Sequence, residues 1–201
     1  MSKRWLAEHR SDEFHKKSKQ DGYYARSAYK LLNINDKFNI FKKVRFVLDL
    51  GASPGSWLQV TSSKLKNFNP KIMGVDRKKI KPVEDVKHLH MDVYSDQLEE
   101  EIRSYFTKGI DLVLSDLAPN TSGNKTLDSG RSIDLVMRAY DISRPFLRLK
   151  GKFIAKLFQC AEMNEIKRRL EKDFERVQFF KPKASRQHSR ELFVIALGFK
   201  K

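Results

Sequence analysis

Short apolar runs alternate with longer amphipathic stretches from about residue 45 to the end of the chain. The short runs are rich in Val, Ile, Leu and Phe, a pattern that predicts strands. They fall at 45–50, 71–75, 86–91, 110–115, 152–157, 176–180 and 192–198. The longer stretches repeat apolar residues at helical spacing and predict helices at 56–65, 97–107, 132–149 and 162–174. This alternation predicts an α/β fold, with helices on both faces of a mostly parallel sheet.

The two ends of the chain differ from this pattern. The last two predicted strands are joined by KPKASRQHSRE, which leaves no room for a crossover helix, so we expect the last strand to be antiparallel. Near the start, apolar residues within 23–38 recur at helical spacing and predict a helix. The polar residues 1–22 are interpreted as a basic N-terminal arm, and residues 23–201 as one domain.

Composition narrows the class of protein. The chain has 201 residues, enough for one domain with a substantial core, and 40% of them are hydrophobic. Cys160 is the single cysteine and cannot form an internal disulfide, which indicates a reducing, cytoplasmic environment. No apolar stretch approaches the ~18 residues of a membrane span, and the N-terminus lacks the apolar segment of a secretory signal. The sequence therefore predicts a cytoplasmic globular protein without a membrane partner.

The positive charge is concentrated at the two ends of the chain. The formal net charge is +16, to which residues 1–45 contribute +7, residues 46–149 only +1, and residues 150–201 another +8. A polyanion such as RNA would contact the two basic ends, which the fold must bring together. A lysine-rich solvated surface is the alternative that charge alone leaves open.

A glycine turn follows the first predicted strand, in the segment Asp49–Trp57 (DLGASPGSW). A strand, a glycine turn and a helix N-terminus form a cradle for a nucleotide-like ligand. Gly51 and Gly55 lack the third glycine of a dinucleotide-binding fingerprint, and no lysine of a phosphate-binding loop follows them. Asp49 would repel a pyrophosphate but attract a cation, which favours S-adenosylmethionine with its positive sulfonium and amino groups. A turn that only closes the fold is the alternative here.

Acidic residues follow three further predicted strands. Asp76 follows the second, where a carboxylate can accept both ribose hydroxyls of a nucleoside, and Asp92 follows the third, where it can accept an adenine amino proton. Asp116 follows the fourth strand. Each acid alone is equally well explained as a turn or capping residue. Together they lie at the edge where open α/β sheets bind ligands, and they indicate a nucleoside cofactor.

Three further residues become candidates only in combination. Lys156 lies in the apolar fifth strand (GKFIAKLFQ), where its ammonium should be partly desolvated; Lys30 lies on the N-terminal helix, and Glu191 precedes the last strand. Taken singly, they are a snorkelling lysine, a solvated lysine and a surface acid.

His88 and His90 have no third ligand at metal-binding spacing, so no metal site is expected.

Several segments together resemble the FtsJ-type ribose 2′-O-methyltransferases. They are DLGASPGSW, DLVLSDLAPNTSGN, GKFIAKLFQ, KPKASRQHSRELFVIALGFK and, at the N-terminal helix, RSAYKLLNINDKF, so that the resemblance covers about residues 22–200. It implies a seven-stranded, Rossmann-like class I methyltransferase fold with an antiparallel last strand, and S-adenosyl-L-methionine as the cofactor. Ser53 and Ser56 stand where alanine and glycine are commoner in the family, and neither side chain is needed for cofactor contact.

The resemblance also implies roles for individual residues. The family's catalytic tetrad falls on Lys30, Asp116, Lys156 and Glu191. Its cofactor-binding residues fall on Gly55, Trp57, Asp76, Asp92 and Asp116, to which the turn itself adds Asp49 and Gly51. Lys156 is expected to act as the base or as the stabiliser of the ribose alkoxide, positioned by Asp116.

The implied partner is ribosomal RNA or the large ribosomal subunit, with a uridine ribose as the target. Basic residues near the tetrad positions are expected to contact it: Arg26, Lys181, Lys183, Arg186 and Arg190. The alternatives are a tRNA anticodon-loop 2′-O-methyltransferase, a catalytically silent ribosome-assembly factor and a nicotinamide oxidoreductase, of which the missing third glycine disfavours the last. The protein is expected to act as a monomer without a metal ion.

Overall fold

A seven-stranded sheet forms the centre of the molecule, which we describe from a computed structural model covering residues 13–186 and 188–201. The strands are β1 (Phe46–Leu50), β2 (Lys71–Asp76), β3 (Val86–His90), β4 (Ile110–Ser115), β5 (Leu147–Phe158), β6 (Phe174–Phe180) and β7 (Glu191–Phe199). The helices are α1 (Glu13–Gln20), α2 (Ala28–Phe38), α3 (Ser56–Leu65), α4 (Leu98–Tyr105), α5 (Lys125–Ser143) and α6 (Met163–Glu171). Short 3₁₀ helices occupy Lys66–Phe68 and Arg144–Phe146.

The strand order places the ends of β1 and β4 at the middle of one sheet edge. The order is β3-β2-β1-β4-β5-β7-β6, with β1 to β5 in parallel and β7 antiparallel between β5 and β6. The predicted α/β fold with an antiparallel last strand is confirmed. The chain leaves β1 towards β3 and then returns to β4 on the other side, which opens a crevice at the carboxyl ends of β1 and β4.

Two apolar clusters cover the two faces of the sheet. One contains Leu31 of α2 and Trp57 of α3, and the other contains Tyr140 of α5. Neighbouring residues of β5 enter different clusters, Ile154 the first and Ala155 the second, because successive strand residues point to opposite faces. This alternation decides which side chains of β5 share a face with α2.

The helix before β5 begins and ends earlier than predicted: it is α5, residues 125–143, and not 132–149. The side chain of Asn124 caps its start by accepting hydrogen bonds from the N–H groups of Thr126 and Leu127, at 3.1 and 3.2 Å. Leu127 is the one large apolar residue in the first two turns, and it is exposed, so hydrophobic spacing does not reveal them. Pro145 lies in the 3₁₀ turn after the helix and, lacking an N–H, cannot extend it.

The N-terminal helix also begins later than predicted, at Ala28 instead of residue 23. Within the predicted arm, α1 packs against α2: the rings of Phe14 and Tyr29 lie 5.4 Å apart, and the Tyr29 hydroxyl donates a hydrogen bond to Asp21. Residues 1–12 lie outside the described residues, so the boundary of the arm at residue 22 stays a prediction. No helix in the described ranges is long and apolar enough to cross a membrane.

Candidate active site

A cavity of about 690 Å³ opens at the carboxyl edge of the parallel strands. Its lining contains five of the residues predicted from sequence: Gly51, Asp76, Asp92, Asp116 and Lys156. Residues distant in sequence meet here because parallel strands end at the same edge of the sheet. Sequence reasoning missed other lining residues, which lie in loops or on α5 outside any motif: Arg77, Tyr94, Arg131 and Asp134. Only the spacing of the last two, three residues apart on one helix face, could have signalled a pair.

Both ends of the glycine turn require glycine. Gly51 has a φ of +78°, and a Cβ at this position would lie 2.8 Å from the main-chain nitrogen of Leu117. Gly55 has a φ of +115°, and its Cβ would lie 3.2 Å from the ring of Tyr24. A side chain at either position would strain the backbone and separate packed segments. The two glycines therefore keep the turn close to the end of β4 and to the segment before α2.

The carboxylates of Asp76 and Asp92 organise the loops around the cavity. Asp76 accepts hydrogen bonds from the N–H groups of Ser53 and Lys78, at 2.9 and 2.7 Å. Asp92 accepts one from the N–H of Tyr94 at 3.0 Å. Each carboxylate oxygen has two lone pairs, so both side chains keep acceptor capacity towards a ligand in the cavity.

Asp49 is fully buried at the end of β1 behind the glycine turn. Neither of its carboxylate oxygens has a hydrogen-bond partner among the described residues. Burial raises the pKa of Asp49 well above its usual range, and the negative charges of Asp116 and Asp76 raise it further. A positively charged group in the cavity would oppose these effects, so the site suits a cationic ligand.

Trp57 has its side chain in the core and not in the cavity. The indole is 1% exposed, its N–H donates to the main-chain oxygen of Ser27 at 2.9 Å, and its ring packs 5.7 Å from that of Phe193. The cofactor contact implied for Trp57 stays a prediction, and only its main chain, in the first turn of α3, is available for it.

Lys156 and Asp116 form the inner pair of the predicted tetrad. The Lys156 Nζ donates to Asp116 Oδ1 at 2.9 Å and to the main-chain oxygen of Asp116 at 2.6 Å. Lys156 is 8% exposed. Asp116 is in turn held at the end of β4 by its N–H, which donates to the main-chain oxygen of Leu50 at 3.0 Å. The lysine predicted from the apolar strand is thus buried, paired and directed at the cavity.

Lys30 and Glu191 form the outer pair. Lys30 Nζ makes an ion pair with Glu191 Oε1, and the two side chains are 13% and 14% exposed. Because β5 and β7 are antiparallel with Lys156 opposite Phe193, Lys156 and Glu191 project to the same face of the sheet. That face is covered by α2, which carries Lys30. The fold therefore brings all four predicted residues to one face at one edge.

Asp128 is a further residue at this edge that sequence reasoning missed. It is buried at the first turn of α5, and it accepts hydrogen bonds from the N–H and the hydroxyl of Ser122 and from the N–H of Gly123. These bonds, led by the one from the Ser122 N–H, lower the pKa of Asp128. Asp128 thereby fixes the loop that continues from the cavity wall.

The residues predicted to contact RNA fall into two groups. Arg26 lies next to the 181–190 loop and donates to the main-chain oxygen of Ala184 at 2.5 Å. Burial and then the charge of Arg186 lower the pKa of Arg26, so these two cations lie close together. Lys183 and Arg186 are exposed on the same loop, and Lys181 donates to the main-chain oxygen of Ser189 at 2.7 Å. This first group of cations lies next to the predicted tetrad.

Arg190 forms the second group by itself. Its guanidinium donates to the main-chain oxygens of Lys125 and Gln159 at 3.2 and 2.7 Å, and to the hydroxyl of Ser129 at 2.5 Å. Arg190 therefore joins the start of α5 to the end of β5 immediately before Glu191. His88 and His90 are joined by no third metal-ligating residue within the described part of the chain.

Comparison with known proteins gives several relatives of similar length. Ribosomal RNA large subunit methyltransferase E of Francisella philomiragia is 38% identical over 200 residues, which cover 99% of this chain and 97% of that protein. The protein of the same name from Pelagibacter ubique is 39% identical over 195 residues, covering 97% and 95%.

Solved structures of other proteins have the same fold as this chain, and the sequence model of one protein family matches it. A protein described as a ribosomal RNA methyltransferase from Plasmodium falciparum superposes with a TM-score of 0.81 at 29% identity, covering 88% of this chain and 98% of its own. A methyltransferase from Streptococcus mutans, solved in complex with SAH, shares the fold at 14% identity, with a TM-score of 0.52 over 83% of this chain and 97% of its own. The sequence model of the FtsJ-like methyltransferases matches residues 23–199. The chain therefore belongs to the FtsJ-like methyltransferase family.

Proposed function

We propose that this protein transfers the methyl group of S-adenosyl-L-methionine to the ribose 2′-hydroxyl of a uridine in large-subunit ribosomal RNA. The observation that carries the proposal is the Lys156–Asp116 pair on the cavity wall, on the same sheet face as the Lys30–Glu191 pair. The name shared by the relatives supports large-subunit ribosomal RNA as the substrate class. The net charge of +16 suits a polyanion.

The cavity residues fit S-adenosylmethionine. This cofactor supplies an electrophilic methyl group on a positively charged sulfonium. Asp116 and Asp76 on the cavity wall give a negative potential that favours such a cation, and the cation would in turn favour the charged form of the buried Asp49 carboxyl. Asp76 and Asp92 have acceptor oxygens for the ribose hydroxyls and the adenine amino group.

Methyl transfer requires the ribose oxygen in line with the methyl–sulfur bond and a group that deals with the hydroxyl proton. The 2′-oxygen forms a bond to the methyl carbon while the methyl–sulfur bond breaks and its electron pair stays on sulfur. A neutral Lys156 accepts the hydroxyl proton as a base, whereas a charged Lys156 stabilises the developing negative charge on the oxygen. Asp116 orients the Lys156 amine, and Lys30 and Glu191 hold the ribose.

A single chain provides all of these groups. The four tetrad residues lie in α2, β7, the end of β4 and β5, so we propose a monomer whose methyltransferase domain is residues 23–201. No step of this mechanism uses a metal ion. The single cysteine and the proposed ribosomal substrate favour a cytoplasmic location.

The substrate class is tested by comparing methyl incorporation into different RNAs. Purified protein is incubated with methyl-labelled S-adenosylmethionine and, separately, with unmethylated large ribosomal subunits, naked large-subunit RNA or total tRNA. Incorporation into either ribosomal substrate is expected. Incorporation into tRNA alone would identify an anticodon-loop enzyme instead, and RNA binding without any incorporation would identify a silent assembly factor.

A further inference from the structure

Four cations lie in five residues immediately after β2: Arg77, Lys78, Lys79 and Lys81. We call them the β2–β3 cation cluster. They escape notice in the sequence because residues 46–149 have a net charge of only +1. All four residues are exposed, and none forms an ion pair with a carboxylate of residues 13–186 or 188–201. Their charge is therefore available to an anion in solution.

The backbone of this cluster is fixed to the glycine turn. The N–H of Lys81 donates to the main-chain oxygen of Pro54 at 3.0 Å, and the Ser53 hydroxyl donates to that of Lys79 at 3.1 Å. Lys81 Nζ also lies 5.0 Å from the centroid of the Tyr24 ring, whose hydroxyl donates to the main-chain oxygen of Pro82 at 2.7 Å. The positive charges consequently have a defined position at the rim of the cavity.

The cluster and the 181–190 loop lie on opposite sides of the reaction centre. The cluster follows β2, whereas the loop precedes β7, and both are at the edge where β1, β4 and β5 end. From β2 to β7 there are four strand spacings, or about 19 Å. Asp116 and Lys156 come from the strands between them. An RNA strand with its target ribose at Lys156 can thus reach cations in both directions.

We propose that the β2–β3 cation cluster is a second RNA-contact surface, which holds backbone phosphates on the side of the target nucleotide away from the 181–190 loop. This inference rests on the proposed function. At about 3.4 Å per stacked nucleotide, a strand that bridges both surfaces has about six nucleotides, and fewer if it is extended. Phosphate contacts of this kind position the RNA without reading its sequence.

The test uses two double variants of the full-length protein. K79A/K81A removes two cations of the cluster that do not line the cofactor cavity. K64A/K66A removes two exposed lysines at the opposite edge of the sheet, one in the last turn of α3 and one in the 3₁₀ helix before β2. Binding of a fluorescein-labelled 12-nucleotide single-stranded RNA is followed by anisotropy from 50 to 200 mM salt. SAH affinity and the KM for large ribosomal subunits are measured in parallel.

Removal of two phosphate contacts should lower the salt slope of RNA binding by about 1.4. The Kd ratio of K79A/K81A to wild type should therefore fall about sevenfold between 50 and 200 mM salt. The KM for subunits should rise, and SAH affinity should stay unchanged. K79Q/K81Q, which keeps longer side chains, should behave in the same way.

Two outcomes distinguish a failure of the proposed RNA-contact surface from a failure of the proposed function. If K79A/K81A and K64A/K66A bind RNA with the same affinity and salt slope, the proposal of a second RNA-contact surface is wrong. This conclusion holds even if the wild type methylates RNA. If the wild type transfers no methyl group to any RNA, the proposed function is wrong, and the anisotropy comparison still decides whether the cluster binds RNA. If the K79A/K81A substitutions raise the Kd for an acidic peptide but leave the Kd for RNA unchanged, the cluster is not an RNA site.

Discussion

Lys156 Nζ lies 2.9 Å from Asp116 Oδ1 and 2.6 Å from the main-chain oxygen of the same residue. One residue thus holds the lysine amine through two contacts and also lines the cavity. Because Lys156 is 8% exposed, its amine has little access to water that could replace these contacts. The end of β4 therefore links the cofactor cavity directly to the group that would act on the ribose hydroxyl.

Replacing Lys156 with alanine should lower kcat for methyl transfer by about 10²- to 10⁴-fold, the usual range for the loss of a general base. SAH affinity, measured by calorimetry, should change little, because Asp49, Asp76 and Asp92 remain. Lys150 of the same strand is the matched control, since it is exposed and paired with Glu175 at the other end of β5. Near-wild-type turnover of K156A would contradict its role.

The Lys30–Glu191 pair should behave as a unit. Because both side chains are largely buried, removing either one leaves the other charge poorly solvated. We expect K30A and E191Q each to lower kcat/KM for RNA by about 10- to 100-fold, and the double variant to lose less than the product of the two. A coupling energy of about 1 kcal/mol or more in the double-mutant cycle is expected. Fully additive losses would show that the two residues act independently.

The pKa of Asp49 predicts how stability depends on pH. Its carboxyl binds a proton more tightly in the folded protein than in the unfolded chain. The free energy of unfolding therefore falls as pH rises above the unfolded pKa, by at most about 1.4 kcal/mol per unit, until the folded carboxyl also ionises. D49N should remove this decline in urea unfolding experiments without cofactor, and it should weaken S-adenosylmethionine binding. An unchanged decline in D49N would assign it to another group.

Arg190 and Lys183 should respond differently although both are cations near the tetrad. Arg190 makes three hydrogen bonds that position the chain before Glu191, so R190K should lower the free energy of unfolding by about 2 kcal/mol and reduce kcat. Lys183 is exposed, so K183A should raise the KM for RNA and leave the melting temperature unchanged. Equal effects of the two variants on KM and stability would contradict this division.

The site residues that lie at strand ends could be predicted from sequence, because parallel strands necessarily end at the same edge of the sheet. Asp76, Asp92 and Asp116 meet for that reason alone. The strand alternation that puts Lys156 and Glu191 on one face is likewise a property of local sequence once β5 and β7 are paired. The short connection between the last two strands predicts only that the last strand is antiparallel, and its place beside β5 does not follow from that connection.

Other features depend on packing that no local pattern encodes. The side chain of Trp57 lies in the core because α3 presents that face to the sheet, a choice that the turn motif does not determine. The contacts of Arg190 depend on where α5 begins, and the polar first turns of α5 conceal that point. The net charge of residues 46–149 does not reveal the β2–β3 cation cluster, because acidic residues elsewhere in that segment balance its four cations.

The position of the transferred methyl group tests directly whether the protein methylates a uridine ribose 2′-hydroxyl. Unmethylated large-subunit RNA is treated with the protein and methyl-labelled S-adenosylmethionine, and then hydrolysed with alkali, which cannot cleave next to a methylated 2′-oxygen. We expect the label in an alkali-resistant dinucleotide with uridine at its 5′ position, and we expect its loss with K156A. Label in alkali-released mononucleotides, or undiminished label with K156A, would contradict this expectation.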